Sequence, residues 1–187
     1  VFGTKAFEIP ESSRQAKGQA LVNFLNLESG EVIKSILPVN KELKAKHLIL
    51  ATASGVIKKT ELKQFDNLRT SGLISIKLQG NDSLISAHLS FGTDNVMLLT
   101  KKGMSIRFPE ANVRPMGRAT TGVTGMKFDK DDSLIGMEVF PDKLEVPEDK
   151  RKKVFRDILT LSIHGIGKRT KFDAFPIQKR SGKGVKA

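Results

Sequence analysis

The strongest constraint on this chain is that it repeats itself. Three times an apolar run meets a polar turn closed by glycine, then a short run ending in basic residues. The copies run from His47 through Gly55 to Thr60, from Asn95 through Gly103 to Phe108, and from Asp157 through Gly165 to Thr170. Phe65 follows the first copy and Phe175 the third. Two runs hinged on a glycine turn are the pattern of a β-hairpin. A second landmark lies downstream of each hairpin. It is Ser71-Gly72 before the alternating segment 73–78, Thr121-Gly122 before 123–128, and Lys183-Gly184 before Val185, with Lys17-Gly18 as the N-terminal copy. A third, the string Asp-Ser-Leu-Ile, starts at Asp82 and again 50 residues later at Asp132. Landmarks recurring in constant order imply a tandem array.

Each unit reads as four short strands: two in the glycine-turn hairpin, one after the second glycine, one after the acidic turn. No segment sustains a 3.6-residue period, so little helix is expected. A four-stranded unit of about 50 residues has the size of a propeller blade. One blade cannot bury both its faces, so blades must stack. The expected architecture is all-β and propeller-like, an incomplete set of about three to four blades, with units at 1–44, 45–94, 95–153 and 154–187. Gly103 and Gly165 are 62 residues apart, against 48 for Gly55 and Gly103. The excess falls in the charged stretch 141–153, which carries Pro141 and Pro147 and reads as an exposed loop insertion.

Composition then limits the chemistry. The 187 residues carry a net charge of +12, and +10 of it lies in residues 150–187. So concentrated a charge calls for a polyanion, nucleic acid first and an acidic membrane surface second. Without Cys, disulfides and thiolate metal sites are ruled out; without Tyr or Trp, bases cannot stack on phenol or indole. No apolar run approaches the roughly 20 residues of a membrane span. Lys5, Glu8 and Pro10 interrupt the first apolar stretch, so no signal peptide is expected, and a start at Val1 reads as a partial chain. The default location is the cytoplasm.

The sequence carries no recognisable catalytic motif. Gly167-Lys168 and Gly182-Lys183 both fail the Walker A spacing, so no ATP site is expected. His47, His88 and His164 are scattered, with no metal-binding pattern, and His47 and His164 read as hairpin-turn or strand-end surface. No Gly-x-Ser-x-Gly elbow occurs. Asp129, Asp131 and Asp132 fail the EF-hand spacing and read as a solvated turn.

At these landmarks the chain resembles the C-terminal domain of the gyrase A protein of DNA gyrase, found also in its counterpart in topoisomerase IV. The resemblance covers essentially the whole chain. It is carried by the stretches from Ala51 to Thr60, from Phe65 to Gly72, and from Met116 to Gly125. It implies a six-bladed β-pinwheel whose outer rim binds and wraps duplex DNA, supporting ATP-dependent negative supercoiling. It implies as partners duplex DNA, the remainder of gyrase A, and gyrase B, in the bacterial cytoplasm at the chromosome. ATP and Mg belong to the whole enzyme, with no cofactor in this chain. Strand cleavage in this class uses a tyrosine, and this chain has none, so it supplies no catalytic residue. The family's hallmark box is Gln-Arg-Arg-Gly-Gly-Lys-Gly. Here Gln178-Lys179-Arg180-Ser181-Gly182-Lys183-Gly184 departs from it at Lys179 and Ser181 and reads as a degenerate later-blade copy.

The loops before the second glycine carry basic residues in every copy: Arg14 and Lys17, Arg69, Arg114 and Arg118, then Lys179, Arg180 and Lys183, with the neutral amide Gln178 as a further candidate contact. Arginine forks a phosphate and lysine supplies a point charge. Each glycine is expected to let the backbone turn and bring its N–H near a phosphate. Repeated on successive blades, such loops read backbone and bendability rather than base sequence. Lys58, Lys59, Arg107, Lys168 and Arg169 end the hairpin strands, where they either join that surface or protect strand edges. A different class remains open: a propeller-like protein-interaction scaffold whose basic tail binds an acidic partner.

Overall fold

The computed structural model describes residues 1–40, 42–69, 71–142 and 157–187. Most of the loop expected at 141–153 lies outside the described residues. The three glycine-turn motifs fold as expected. They give β1 (His47–Thr52) with β2 (Val56–Glu61), β4 (Asp94–Thr100) with β5 (Met104–Pro109), and β8 (Asp157–Leu161) with β9 (Gly167–Lys171), each pair antiparallel.

The three turns share one chemistry. Gly55, Gly103 and Gly165 sit at φ 82°, 79° and 77°, a left-handed conformation open to glycine. Their N–H groups donate to the carbonyls of Thr52, Thr100 and Ser162. The hydroxyls of the same three residues accept from the N–H groups of Val56, Met104 and Ile166. Two turns are also clipped by the acidic landmark. Asp82 accepts from the N–H groups of Ser54 and Ser83, and Asp132 from those of Lys102 and Ser133. Burial tends to raise both carboxyls, but hydrogen bonds outweigh it and hold each below the usual range. The Asp129–Asp132 turn is therefore tied down, with Asp132 in the clip and Lys102 and Lys183 on Asp131 and Asp129.

The clip leads into β3 (Leu84–Ser90) and β7 (Leu134–Pro141), which pair with β1 and β4. The fourth strand of each sheet comes from elsewhere. The segment after Gly122 forms β6 (Val123–Thr124) on the open edge of β2, and the segment after Gly184 forms β10 (Val185–Lys186) on the edge of β5. The two complete sheets have the orders β3-β1-β2-β6 and β10-β5-β4-β7, while β8 and β9 form a two-stranded sheet. The strand after the second glycine thus completes the preceding unit's sheet instead of its own. The physical reason is that the N–H and C=O groups on the free edge of β2 need partners.

The expected strands at 73–78 and 123–128 are also shortened. Only Leu73 of the first pairs like a strand, exchanging bonds of 2.7 and 2.8 Å with Val1. The second stops after Thr124, because Gly125 and Met126 both donate to the carbonyl of Gly55 and Met126 turns into the core. Residues 1–40 form no strand, only 3-10 turns at Ala6–Glu8 and Leu21–Asn23. They still dock: Ser35 Oγ donates to the carbonyl of Ala87, as Ser86 Oγ does to Met137 one unit later.

Packing follows the strand period of two. On β1, Leu48 and Leu50 enter a cluster with Phe65, Ala87 and Leu37, while Ile49 and Ala51 enter a larger one with Ile57, Leu98, Phe108 and Met137. The sheet of β1 and β2 therefore buries both faces against its neighbours, which is how a short array holds together.

Candidate nucleic-acid interface

Each hairpin's second strand runs into a 3-10 turn: Leu62–Phe65 after β2, Glu110–Asn112 after β5 and Phe172–Ala174 after β9. A basic loop then leads to the second glycine. Two of these loops lie on the preceding sheet in identical register. Met116 donates its N–H to the carbonyl of Lys59 at 2.8 Å, and Gln178 donates to that of Arg107 at 2.8 Å. The glycines that end the loops are crossing points. A Cβ on Gly122 would stand 2.7 Å from the carbonyl of Ile57, and one on Gly184 would overlap that of Ser105. They serve close backbone approach, and the N–H of Gly72 is already taken by the carbonyl of Arg69, which corrects the role expected for that N–H.

Three of the expected phosphate contacts are buried. Lys58 is 0%, Lys59 4% and Arg107 8% exposed. Lys59 Nζ donates to the carbonyl of Glu110 at 2.9 Å and stands 3.8 Å from its carboxylate. One unit later Arg107 holds the same place. Its guanidinium reaches the carbonyl of Phe175 at 3.2 Å and lies 3.7 Å from the centre of the Phe172 ring. Both are struts from a strand to the next unit's 3-10 turn. Lys58 Nζ donates to the carbonyls of Ser75 and Arg118. Burial, and then the charge of Arg118, lower its pKa to about 8. Burial also lowers that of Lys59, against the pull of Glu110. A buried cation must be surrounded by acceptors, and these three are held inside the fold by carbonyls and not free at the surface to meet a phosphate.

The remaining candidates reach solvent, some with partners. Arg14, Lys17, Arg69, Arg114, Lys168, Lys179 and Lys183 are exposed, and Arg118 is half-buried. Lys183 Nζ lies 3.3 Å from Asp129, and the exposed Arg169 lies 3.3 Å from Asp157. Arg180 is half-buried and stitched down. Its Nε donates to the carbonyl of Asn112 and one terminal nitrogen to that of Thr124, both at 2.9 Å. Gln178 is half-buried, its backbone in the loop register above. Ser181 adopts φ 68°, the left-handed region, and its hydroxyl donates to Thr124. That backbone explains why a glycine suits this position.

His47 is half-buried at the start of β1, its Nδ1 3.8 Å from the carboxylate of Glu110. It is not the surface residue expected, whereas His164 is exposed. Burial, and then Lys59, lower the pKa of His47. Among the exposed cations outside the expected set, two hold equivalent places. Lys77 and Lys127 each stand five residues after a second glycine, and their N–H groups donate to the carbonyls of Thr120 and Gly182 in the next loop, both at 3.0 Å. The signal was their identical offset from Gly72 and Gly122. Among the described residues, no group of His, Cys, Asp and Glu is arranged to hold a metal ion, and no helix is long and apolar enough to cross a membrane.

Blades that complete one another by exchanging a strand, with basic loops at each crossing, define a propeller-type module with a cationic edge. The family model for the DNA gyrase C-terminal domain, a beta-propeller, matches residues 4–40, 46–90, 94–141 and 156–187, and the chain belongs to that family. It is 40% identical to the gyrase A protein of Escherichia coli strain K12, over 99% of this chain and 20% of that one. It is 38% identical to the gyrase A protein of Mycobacterium leprae, over 99% of this chain and 14% of that one. The chain thus spans a small part of the curated relatives it matches. Among solved structures it superposes on a DNA gyrase A C-terminal domain with a TM-score of 0.73 at 30% identity, covering 91% of this chain and 53% of that one. The C-terminal domain of a DNA topoisomerase IV matches with a TM-score of 0.76 at 27% identity, covering 90% of this chain and 49% of that one.

Proposed function

We propose that this chain is a DNA-wrapping module of a gyrase A-type protein: it grips duplex DNA by the phosphates along its loop edge and bends it, without catalytic residues of its own. One observation carries the reading. Loops 114–122 and 176–184 hold the same register on successive sheets, and both turn cations toward solvent. Arg114, Arg118 and Lys179 are the principal contacts, with Arg69, Arg14, Lys17, Lys168 and Lys183 extending the track. In the whole enzyme, the remainder of gyrase A, gyrase B, ATP and Mg convert the wrap into negative supercoiling.

The energetics suit phosphate recognition. Bending 20–30 bp by 40–90° costs on the order of 1–6 kcal/mol, which several phosphate contacts offset. Six to ten such contacts lose roughly 10³–10⁵ in affinity between 50 and 200 mM salt. The test is the topology of circular DNA relaxed by a nicking-closing enzyme in the presence of the chain, with a gel shift in parallel. Positively supercoiled products are expected. Binding with unchanged topology overturns the wrapping, and no binding to random-sequence duplex favours the scaffold reading.

A further inference from the structure

The segments 73–78 and 123–128 each carry one lysine that the loop reading does not use. Lys77 and Lys127 occupy equivalent places. Each lies five residues past a glycine with φ of 74° or 95°, and each is fixed by its own N–H to the loop of the following unit. Both are exposed, and neither side chain has a carboxylate partner among the described residues. Lys63, Lys102 and Lys183 are held by Glu61, Asp131 and Asp129. Lys77 and Lys127 share their lack of a carboxylate among the described residues with Lys168 and Lys179, and what sets them apart is the equivalent backbone anchor. An unpaired ammonium held at a fixed place in a repeat is open to an external anion.

The surroundings of Lys77 favour a phosphate. It lines a cleft of about 440 Å³ together with Thr121, Thr124 and Arg180. Asp82 also lines that cleft, but its carboxylate is engaged by Ser54 and Ser83. The anchoring bonds place Lys77 beside Thr120, two residues from Arg118, and Lys127 beside Gly182, two residues from Arg180. Arg180 is stitched to two carbonyls, so at the second loop the lysine is better placed than the arginine to meet a ligand.

We propose that Lys77 and Lys127 form a second row of phosphate contacts, one per unit, taking the duplex backbone between successive loops. The inference rests on the rim reading above and assigns it two cations outside the loops. A point charge on a flexible stem suits a phosphate whose exact position varies with DNA sequence.

The experiment measures duplex binding by fluorescence anisotropy from about 50 to 200 mM salt on the 187-residue chain. The variants are K77A/K127A, K77R/K127R and R114A/R118A. Each neutralised phosphate contributes about 0.9 to the slope of log affinity against log salt. K77A/K127A is expected to flatten the slope by about 2 with an unchanged melting temperature, and K77R/K127R to keep the wild-type slope. If K77A/K127A keeps the wild-type slope while R114A/R118A flattens it, the lysine row is overturned and the loop edge stands. If neither moves it, the loop edge falls and the inference falls with it. Flattening in both alanine and arginine variants means a structural effect and also overturns the proposal.

Discussion

Lys58 and Lys59 in β2 hold the same places after the hairpin glycine as Lys168 and Arg169 in β9. The first pair is buried, the second exposed. The motif is shared; the covering is not. β2 has β6 on its edge and residues 115–118 across its backbone, where the carbonyl of Arg118 accepts from Lys58, while Lys59 donates to the carbonyl of Glu110 in the next unit's turn. Among the described residues nothing equivalent lies on β9, whose neighbours Leu159, Leu161 and Ile166 are also exposed. A basic strand end is therefore neither a rim contact nor a strut by itself. The adjacent unit decides which it becomes.

The largest expected effect tests the strut. Lys59→Ala strips the cation from Glu110, a fully buried carboxylate with neither oxygen hydrogen-bonded. Leaving an uncompensated buried charge costs about 3–5 kcal/mol, read as a lower urea midpoint at unchanged m-value. Lys59→Met with Glu110→Leu is expected to recover most of that, because an apolar pair removes the burial penalty on both sides. Recovery of nothing would mean that Lys59 acts through its bond to the Glu110 carbonyl alone. Arg107→Ala, which gives up the carbonyl of Phe175 and the ring of Phe172, is expected to cost about 2–3 kcal/mol by the same measurement.

Lys58 sharpens the comparison through pH. Its folded pKa of about 8 lies below the ordinary lysine value. Between the two, the unfolded chain binds the proton more often than the folded one, so unfolding takes up protons and stability rises with pH across that window. Below it both states are charged, and the native state carries the full cost of burying an ammonium. The expected result is a wild-type urea midpoint that rises from pH 8 toward pH 10 by more than that of Lys58→Met. Lys168→Met in exposed β9 is expected to follow the wild-type profile throughout. A Lys58→Met profile that tracks wild type would remove Lys58 from the account.

The hairpins were legible because their turn chemistry is local. Thr52, Gly55 and Val56 make their bonds within five residues, and the same spacing recurs at Thr100 and Ser162. The stacking of units was legible from the repeat. The exchange of β6 and β10 was not. Alternation in 123–128 marks a strand but not which edge it joins, and that choice is made by β2, a whole unit upstream. The burial of Lys58, Lys59 and Arg107 was hidden for the same reason, since their acceptors are carbonyls 17 to 68 residues away in sequence. Lys77 and Lys127 carried a visible signal, an equal offset from glycine, but sit outside the loops where basic residues cluster.

The smallest stability effect belongs to β9. Lys168 has no carboxylate partner among the described residues, and Arg169 meets Asp157 at 3.3 Å with 78% of its side chain exposed. Exposed pairs contribute about 0–1 kcal/mol, and surface substitutions stay within about 0.5 kcal/mol. Lys168→Ala with Arg169→Ala should therefore leave the urea midpoint nearly unmoved. In DNA binding the pair should separate. Lys168, unpaired, is expected to flatten the salt slope by about 1, as a single phosphate contact does. Arg169 should contribute less, because a phosphate must first displace Asp157. Lys59→Ala, by contrast, should alter binding only under conditions where it unfolds the chain. A β9 variant that unfolds as readily as Lys59→Ala would show that these strand ends act as struts in both places, and the contrast between the two hairpins would disappear.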